Sequence, residues 1–201
     1  MSDVVLTSKA GGIATVTFNR PHALNAIDQT KLDLIQETFS RLEADPEVRV
    51  VVLKGAGDHF MAGGDVKFFA SVLDLPASER RRQLEAIVQR IHPVMVTITR
   101  MPAPVIACVR GAAAGFGMSL VMACDLAIAA DNAYFSLGYC RIGTCPEGAG
   151  SYYLPRIVGL KKAMEIALLS ERLDAQAALA LGLVNRVVPV AELDAATQAL
   201  A

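Results

Sequence analysis

The feature that most constrains the fold is a repeated order of short apolar runs, each followed by a turn and then a helical pattern. Residues 48–53, 104–109 and 125–130 are nearly unbroken apolar runs, a pattern typical of strands that are buried on both faces. Strands of this kind are parallel and are joined through right-handed helical crossovers. The sequence therefore predicts an α/β protein built in layers.

The other predicted elements fit the same scheme. Branched residues alternate over 12–20, which indicates a strand, and apolar residues return at helical spacing over 28–44, with Asp28 as the N-cap. Further helices are predicted over 65–75, 78–91, 115–123, 149–157, 162–169 and 174–181, and further strands over 134–137 and 184–188. Pro93 is expected to kink or end the helix that precedes it.

Composition and charge exclude several classes of protein. Apolar residues form 53% of the 201 residues and charged residues 19%, which is rich enough for a large core and too apolar for a disordered chain. A net charge of −1 gives no general attraction to nucleic acid. No apolar run reaches the roughly 18 residues of a membrane span, and the first nine residues lack the pattern of a signal peptide.

The cysteines and histidines predict neither a disulfide framework nor a metal site. The four cysteines, at 108, 124, 140 and 145, form no C-x-x-C pair, and the three histidines, at 22, 59 and 92, have no ligand spacing. We expect buried free thiols in a reducing compartment, the cytoplasm. His22 and His59 are interpreted as loop residues.

Two glycine-rich junctions are the first candidates for a site. Residues 60–65 and 110–117 each follow a buried run and open a predicted helix, where the first N–H groups lack partners within the helix. Two such groups directed at one carbonyl oxygen would form an oxyanion hole, although the glycines are equally consistent with two tight turns. No Gly-Lys-Ser/Thr follows either junction, so a loop that binds a nucleoside triphosphate is not indicated. Phe60 stands where the third glycine of a dinucleotide-binding fingerprint belongs, which makes a Rossmann site a poor match.

A third candidate is the single acidic residue of the segment 139–150. Glu147 lies in an apolar turn flanked by glycine. An exposed glutamate at a helix N-terminus would merely stabilise the helix dipole. In an apolar pocket, however, desolvation would raise the pKa of its carboxyl group and make it a usable general base.

Four motifs occur in one order along the chain. They are NRP with NA at 19–26, AGGDVK at 62–67, GxxxGxG at 111–117 running to CD at 124–125, and PEG at 146–148. Together they resemble the enoyl-CoA hydratase/isomerase family, also called the crotonase superfamily, over residues 4–190. The resemblance implies a spiral of ββα units that contributes to two stacked sheets.

The resemblance also implies how the chain is organised and assembled. Residues 1–190 correspond to an acyl-CoA-binding core, and residues 191–201 to the start of a C-terminal helical part that we expect to be largely missing, since the chain ends at Ala201. In this family that part helps to build trimers, so a homotrimer or a dimer of trimers is expected.

The implied chemistry is that of acyl-CoA thioesters passing through a stabilised enolate. By position, the two oxyanion-hole N–H groups are those of Gly64 and Phe116, where the Phe116 ring should narrow the pocket. No cofactor is expected beyond the coenzyme A of the substrate. The segments that match the coenzyme A cradle contain Ala23, Leu24, Ala26, Ala62, Gly63, Asp65, Val66 and Lys67.

The acid–base positions depart from the hydratase pattern. Ser119 and Tyr139 stand where hydratases carry glutamates, whereas Glu147 matches the acid of some enoyl-CoA isomerases. The resemblance therefore predicts isomerisation of 3-enoyl-CoA to 2-enoyl-CoA with Glu147 as the proton shuttle. Ser119 and Tyr139 are candidate supporting hydrogen-bond donors, or they only line the pocket. A hydratase-like lyase and a non-catalytic binding module remain alternatives.

Overall fold

The computed structural model describes residues 4–27 and 29–201, and it contains two β-sheets surrounded by helices. The strands are β1 (Val5–Ala10), β2 (Ile13–Phe18), β3 (Val50–Gly55), β4 (Val105–Val109), β5 (Ala112–Ala114), β6 (Leu126–Ala130), β7 (Tyr134–Ser136), β8 (Leu173–Asp174) and β9 (Arg186–Val188). The α-helices are α1 (Gln29–Glu43), α2 (Val66–Val72), α3 (Ala77–Arg100), α4 (Phe116–Ala123), α5 (Gly150–Val158), α6 (Leu160–Leu169), α7 (Ala175–Ala180) and α8 (Leu193–Leu200).

The larger sheet has the strand order β1-β2-β3-β4-β6-β9. β1 and β2 form an antiparallel hairpin, and every later neighbour pairs in parallel. All five residues of β4 are buried, as the apolar runs predict, because helices cover both faces of a parallel sheet. The predicted α/β class with two sheets is confirmed.

The smaller sheet shows how the chain winds as the expected spiral of ββα units. β5 pairs in parallel with β7, and an isolated bridge between Met61 and Ala113 adds the segment after β3 to the same layer. Each turn of the chain therefore places one strand in the larger sheet, a shorter one in the smaller layer, and then a helix. The ββα units are the successions β3–Met61–α2, β4–β5–α4 and β6–β7–α5.

The last helix packs against the larger sheet. Leu193 of α8 is fully buried in a cluster with Val52, Ile106 and Ile128. The next residue, Asp194, accepts a hydrogen bond from Lys54 at 2.6 Å. Residues 193–200 thus cover the face of the sheet opposite to the helices of the main core.

The structure corrects two expectations about elements. Of the two outcomes expected at Pro93, a kink or an end, the end is wrong: α3 runs on to Arg100, because Ile91, Val94 and Ile98 on both sides of the proline are buried against the core. β1 has no predicted counterpart because it is an edge strand whose side chains are mostly exposed, so its sequence lacks an apolar pattern. Asp28, the expected N-cap of α1, lies outside the described residues.

The cysteines are free, but they are not all buried as expected. Cys108 is buried and Cys124 is half-buried, whereas Cys140 and Cys145 are exposed. The two exposed thiols lie in the turn that follows β7, which the sequence pattern did not distinguish from the apolar core. Of the helices that the structure describes, none has the length and apolar character to cross a membrane.

Candidate active site

The spiral brings the three candidate segments to one place. Met61 donates to the carbonyl of Ala112 and accepts from the N–H of Ala114, so the first glycine junction lies alongside the second. The N–H of Gly115 in turn donates to the carbonyl of Ser136 at the end of β7. Since strands in one layer end at a common edge, the residues that follow them face one cavity.

The first two segments present the two expected N–H donors. A Cβ atom on Gly63, which has φ +86°, would lie 3.3 Å from the main-chain nitrogen of Phe116, so the two junctions are in contact. Phe116 is the first residue of α4, and its N–H has no partner within the helix. Among the described residues, no acceptor is found for the N–H of Gly64 or of Phe116. These are the properties of an oxyanion hole.

Main-chain hydrogen bonds with Ile27 hold the residues immediately before and after Gly64. The N–H of Ile27 donates to the carbonyl of Gly63 at 2.7 Å, and the N–H of Asp65 donates to the carbonyl of Ile27 at 2.9 Å. The residue after Gly64 is held as well, because Arg20 contacts the Asp65 carboxylate at 3.1 Å. Partial burial would raise the pKa of the Asp65 carboxyl group, but the hydrogen bond from the N–H of Lys67 and the contact with Arg20 together hold it below its ordinary value.

A cavity of about 560 Å³ opens beside these donors. Its lining is mostly apolar and comes from the two glycine junctions, from α2 and α3, and from the segment 137–147. The side chains that α2 and α3 contribute are Phe68, Phe69, Leu84, Ile87, Val88 and Ile91. Such a volume and lining suit a small organic group of the size of an acyl chain.

Glu147 lies in this cavity and is paired with Tyr139. The Tyr139 hydroxyl donates to Glu147 Oε1 at 2.6 Å, while Oε2 is shielded from solvent and has no partner among the described residues. Burial raises the pKa of Glu147 to about 7, against the smaller opposing effect of the Tyr139 hydrogen bond. Burial, together with the charge of Glu147, raises the pKa of Tyr139 far above its ordinary value. Tyr139 is therefore a neutral donor, and Glu147 can take up or release a proton near neutral pH.

The loop that carries Glu147 is held in an unusual shape. Gly148 and Ala149 both have left-handed φ values, +60° and +59°, which costs free energy for alanine. Ser119 of α4 is completely buried and donates to the main-chain carbonyl of Glu147 at 2.9 Å. Ser119 thus holds the main chain of the loop, and its side chain does not line the cavity.

The predicted coenzyme A segments divide into two groups. Ala62, Gly63 and Asp65 line the cavity, and the N–H of Ala62 donates to the carbonyl of Leu24 at 3.0 Å. Residues 23–26 therefore lie beside the first junction but outside the lining. Lys67 is exposed at the start of α2, and Val66 begins the same helix.

Sequence reasoning missed the apolar wall of α3. Leu84, Ile87, Val88 and Ile91 lie on one helical face, and such a face ordinarily packs into the core. Here the four side chains face the cavity. The spacing of apolar residues alone does not distinguish a helix face that packs into the core from one that lines a pocket.

Replacing Gly117 by alanine tests the contact between the two junctions. A Cβ at Gly117 would overlap the main-chain carbonyl of Met61, so we expect the free energy of unfolding to fall by about 3 kcal/mol. Gly11→Ala is the control, because nothing lies within 4 Å of that position and only its left-handed backbone costs about 1 kcal/mol. Urea denaturation measures both. Equal losses would contradict the close approach.

The described residues contain no group of three or more His, Cys, Asp or Glu side chains that could hold a metal ion. The acidic side chains of the cavity lining are Asp65 and Glu147. Of these, Asp65 accepts hydrogen bonds from the N–H of Lys67 and from Arg20. Among the described residues of the lining, Asp65 is thus already paired, whereas Glu147 Oε2 has no hydrogen-bond partner.

Comparison with known proteins identifies the family. The sequence profile of the enoyl-CoA hydratase/isomerase family matches residues 8–201. The chain is 38% identical over 181 residues to 4-chlorobenzoyl coenzyme A dehalogenase-2 of an Arthrobacter species, a match that covers 90% of this chain but 64% of that relative.

Solved structures agree with the sequence match. The enoyl-CoA hydratase of Mycobacterium smegmatis superposes with a TM-score of 0.88 at 38% identity, over 99% of this chain and 75% of that one. The enoyl-CoA hydratase of Bacillus anthracis superposes with a TM-score of 0.91 at 30% identity, over 98% and 75%. The family resemblance of the four motifs is confirmed, and the chain belongs to the enoyl-CoA hydratase/isomerase family.

Proposed function

We propose that this protein isomerises 3-enoyl-CoA to 2-enoyl-CoA through an enolate intermediate. The observation that carries the proposal is that, among the described residues, Glu147 is the one lining carboxyl group with an unpaired oxygen, in the same cavity as the N–H donors of Gly64 and Phe116. Isomerisation needs one base that removes a proton and returns it two carbons further along. A hydratase needs a second group to hold and activate water.

The proposed reaction starts with the thioester carbonyl oxygen between the two N–H groups. Glu147 Oε2 removes a proton from C2, and the negative charge spreads onto the carbonyl oxygen, where the two donors stabilise it. The double bond moves from C3–C4 to C2–C3 as the protonated carboxyl group returns the proton to C4. Each donor to such an oxyanion is worth about 2.7–4 kcal/mol of barrier.

The pKa values fit these roles. A base that must accept a proton and return it works best when its pKa is near the working pH, and the pKa of Glu147 is raised to about 7. The Tyr139 hydroxyl occupies Oε1, so Oε2, which has no partner among the described residues, is the oxygen proposed to take up the proton. Tyr139 and Ser119 are thus proposed to support the carboxyl group and its loop.

The direct test compares two substrates. We expect 3-enoyl-CoA to be converted to the conjugated 2-enoyl-CoA, which is followed by its ultraviolet absorption, and 2-enoyl-CoA to give no 3-hydroxyacyl-CoA. Hydration of 2-enoyl-CoA at a comparable rate would favour the hydratase-like lyase instead. Failure of any acyl-CoA to bind in calorimetry would favour a non-catalytic binding module.

The pH dependence of kcat/KM gives a second test. Because Glu147 must be ionised to act as a base, kcat/KM is expected to rise with pH through an apparent pKa of about 7. The Tyr139 hydrogen bond lowers this pKa, so Tyr139→Phe should move the rise to higher pH while largely restoring the rate on its alkaline side. An unchanged profile in the variant would contradict the coupling of the two side chains.

A second candidate function follows from the similarity to the dehalogenase. That relative's name describes removal of chloride from an aromatic acyl-CoA, a reaction that a buried carboxylate could begin by attacking the ring. The raised pKa of Glu147 is compatible with either role, so the products of the two reactions must separate the candidates. Chloride release from 4-chlorobenzoyl-CoA, measured with a chloride electrode, would establish the second candidate.

The assembly and the cofactor requirement remain proposals. The family resemblance implies a homotrimer or a dimer of trimers, which light scattering on the purified protein would test. The route above uses only the coenzyme A of the substrate, so activity is expected to survive extensive dialysis against a chelator.

A further inference from the structure

The side chain of His59 takes the place of a main-chain hydrogen bond between the two glycine junctions. Where the segments lie side by side, the N–H of Phe60 donates to the carbonyl of Arg110, and Met61 bonds on both sides of Ala113. The N–H of Ala112 would ordinarily find a main-chain carbonyl in such a parallel pair. It donates instead to His59 Nδ1 at 3.1 Å. The imidazole therefore continues the ladder that ends at the second donor, Phe116.

This arrangement frees the carbonyl of His59 for a different partner. It accepts a hydrogen bond from Asn25 Nδ2 at 2.7 Å. Asn25 is completely buried in a left-handed conformation, with φ +56°. Its Oδ1 accepts from the N–H of Arg20, and its Nδ2 also donates to the carbonyl of Ala56. His59 is thereby joined to the loop that precedes Ile27.

The same loop fixes the first donor. Ile27, two residues after Asn25, bonds to the main chain on both sides of Gly64. One residue, His59, therefore contacts the strand that leads to Phe116 through its ring and the loop that clamps Gly64 through its carbonyl. A Cβ on Gly111 would come within about 2.5 Å of His59 Nδ1, so the glycine beside it is what admits the ring.

We propose that His59 is a positioning residue that sets the separation and direction of the two N–H donors. It acts through Ala112 and Asn25, and it is absent from the cavity lining. Its ring must be the neutral tautomer with hydrogen on Nε2, since Nδ1 accepts a hydrogen bond. The inference rests on the proposed function only in requiring that Gly64 and Phe116 bind a thioester carbonyl.

The test compares two replacements of similar shape. In His59→Asn, Oδ1 stands the same number of bonds from Cα as Nδ1 and can accept from Ala112, whereas His59→Leu cannot. We expect the leucine variant to lose about 10- to 100-fold in kcat with KM changed less than about 3-fold, because the donors are misplaced rather than removed. The asparagine variant should stay within about 3-fold of the wild type in kcat.

A spectroscopic signature separates positioning from a general loss of structure. A bound conjugated thioester such as cinnamoyl-CoA absorbs at longer wavelength when its carbonyl oxygen is strongly hydrogen-bonded. The red shift should be kept in wild type, His59→Asn and the exposed control His92→Asn, and reduced in His59→Leu. His59→Ala takes the place of the leucine variant if that protein does not fold.

The outcomes distinguish this inference from the proposed function. A full red shift in the leucine or alanine variant, or its loss in the asparagine variant, would overturn the role of His59. Absence of the shift in the wild type would overturn the oxyanion hole itself. A shift without isomerisation of 3-enoyl-CoA would leave the role of His59 supported and reject the isomerase activity.

Discussion

Glu147→Gln is expected to lower kcat for isomerisation of 3-enoyl-CoA by roughly 10³- to 10⁴-fold, because one carboxyl group serves both proton transfers. The amide can still accept the Tyr139 hydrogen bond that now reaches Oε1, so the cavity should keep its shape. A glutamine neither accepts nor returns a proton at these pH values. Steady-state kinetics with 3-enoyl-CoA measures the loss.

Two controls give this result its meaning. The donors of Gly64 and Phe116 are untouched, so the dissociation constant for the 2-enoyl-CoA product is expected to change by less than about 3-fold in calorimetry. Glu171→Gln, at an exposed position outside the lining, should leave kcat unchanged. If Glu147→Gln keeps kcat within about 10-fold of the wild type, Glu147 is not the proton shuttle.

The second large effect concerns stability. The pKa of Glu147 is raised from 4.5 to about 7 in the fold, so the folded state binds the proton more tightly than the unfolded state. Between these two values the folded protein holds more protons, and its stability therefore falls as pH rises through this window. The total loss from this group is about 3 kcal/mol above pH 7 and is absent well below pH 4.5.

Glu147→Gln isolates this contribution. The free energy of unfolding of the variant should exceed that of the wild type by about 3 kcal/mol near pH 8 and equal it near pH 4. Other titrating groups are common to both proteins and cancel in the difference. Urea denaturation at the two pH values measures it. A variant that is less stable than the wild type near pH 8 would contradict burial of the ionised carboxyl group.

These two expectations are opposite in sign, which makes them informative together. The variant should gain stability where it loses activity, as expected when a catalytic group is kept in surroundings that disfavour its charged form. A damaged fold would lower both. The combination therefore distinguishes a lost proton shuttle from general destabilisation.

The parts of the site that depend on local backbone were predictable from sequence. The glycine junctions 60–65 and 110–117 follow buried strands and precede helices, and in parallel sheets such junctions lie at one edge. The family resemblance then singled out Gly64 and Phe116 within them. The structure brings the two junctions into contact, with Gly63 beside the main-chain nitrogen of Phe116. Their alignment depends on the pairing of Met61 with Ala113, which local sequence does not encode because both segments are too short to show a strand pattern.

The parts that depend on distant side chains were not predictable. The Tyr139–Glu147 hydrogen bond joins side chains eight residues apart. The left-handed conformation of Ala149, which follows in the same loop, was also hidden, because alanine gives no local signal for it. His59 was interpreted as a loop residue because its partner, Ala112, lies 53 positions away. The buried face of α3 was assigned correctly as apolar but not as a cavity wall.

The pairing of Met61 with Ala113 has a consequence for how this architecture tolerates change. Adding or deleting one residue between Met61 and Gly64 would shift the Gly64 N–H by about 3.3 Å relative to the Phe116 N–H and turn it to the opposite side. The number of residues between Met61 and Gly64 is therefore rigidly constrained. The loop after β7 that carries Glu147 is held through its main chain, by Ser119 bonding to the Glu147 carbonyl, so a change of the side chain at 147 leaves the pairing of Met61 with Ala113 in place. Natural variation within this scaffold should therefore concentrate in the identity of the proton-handling group, with the spacing of the amides held constant.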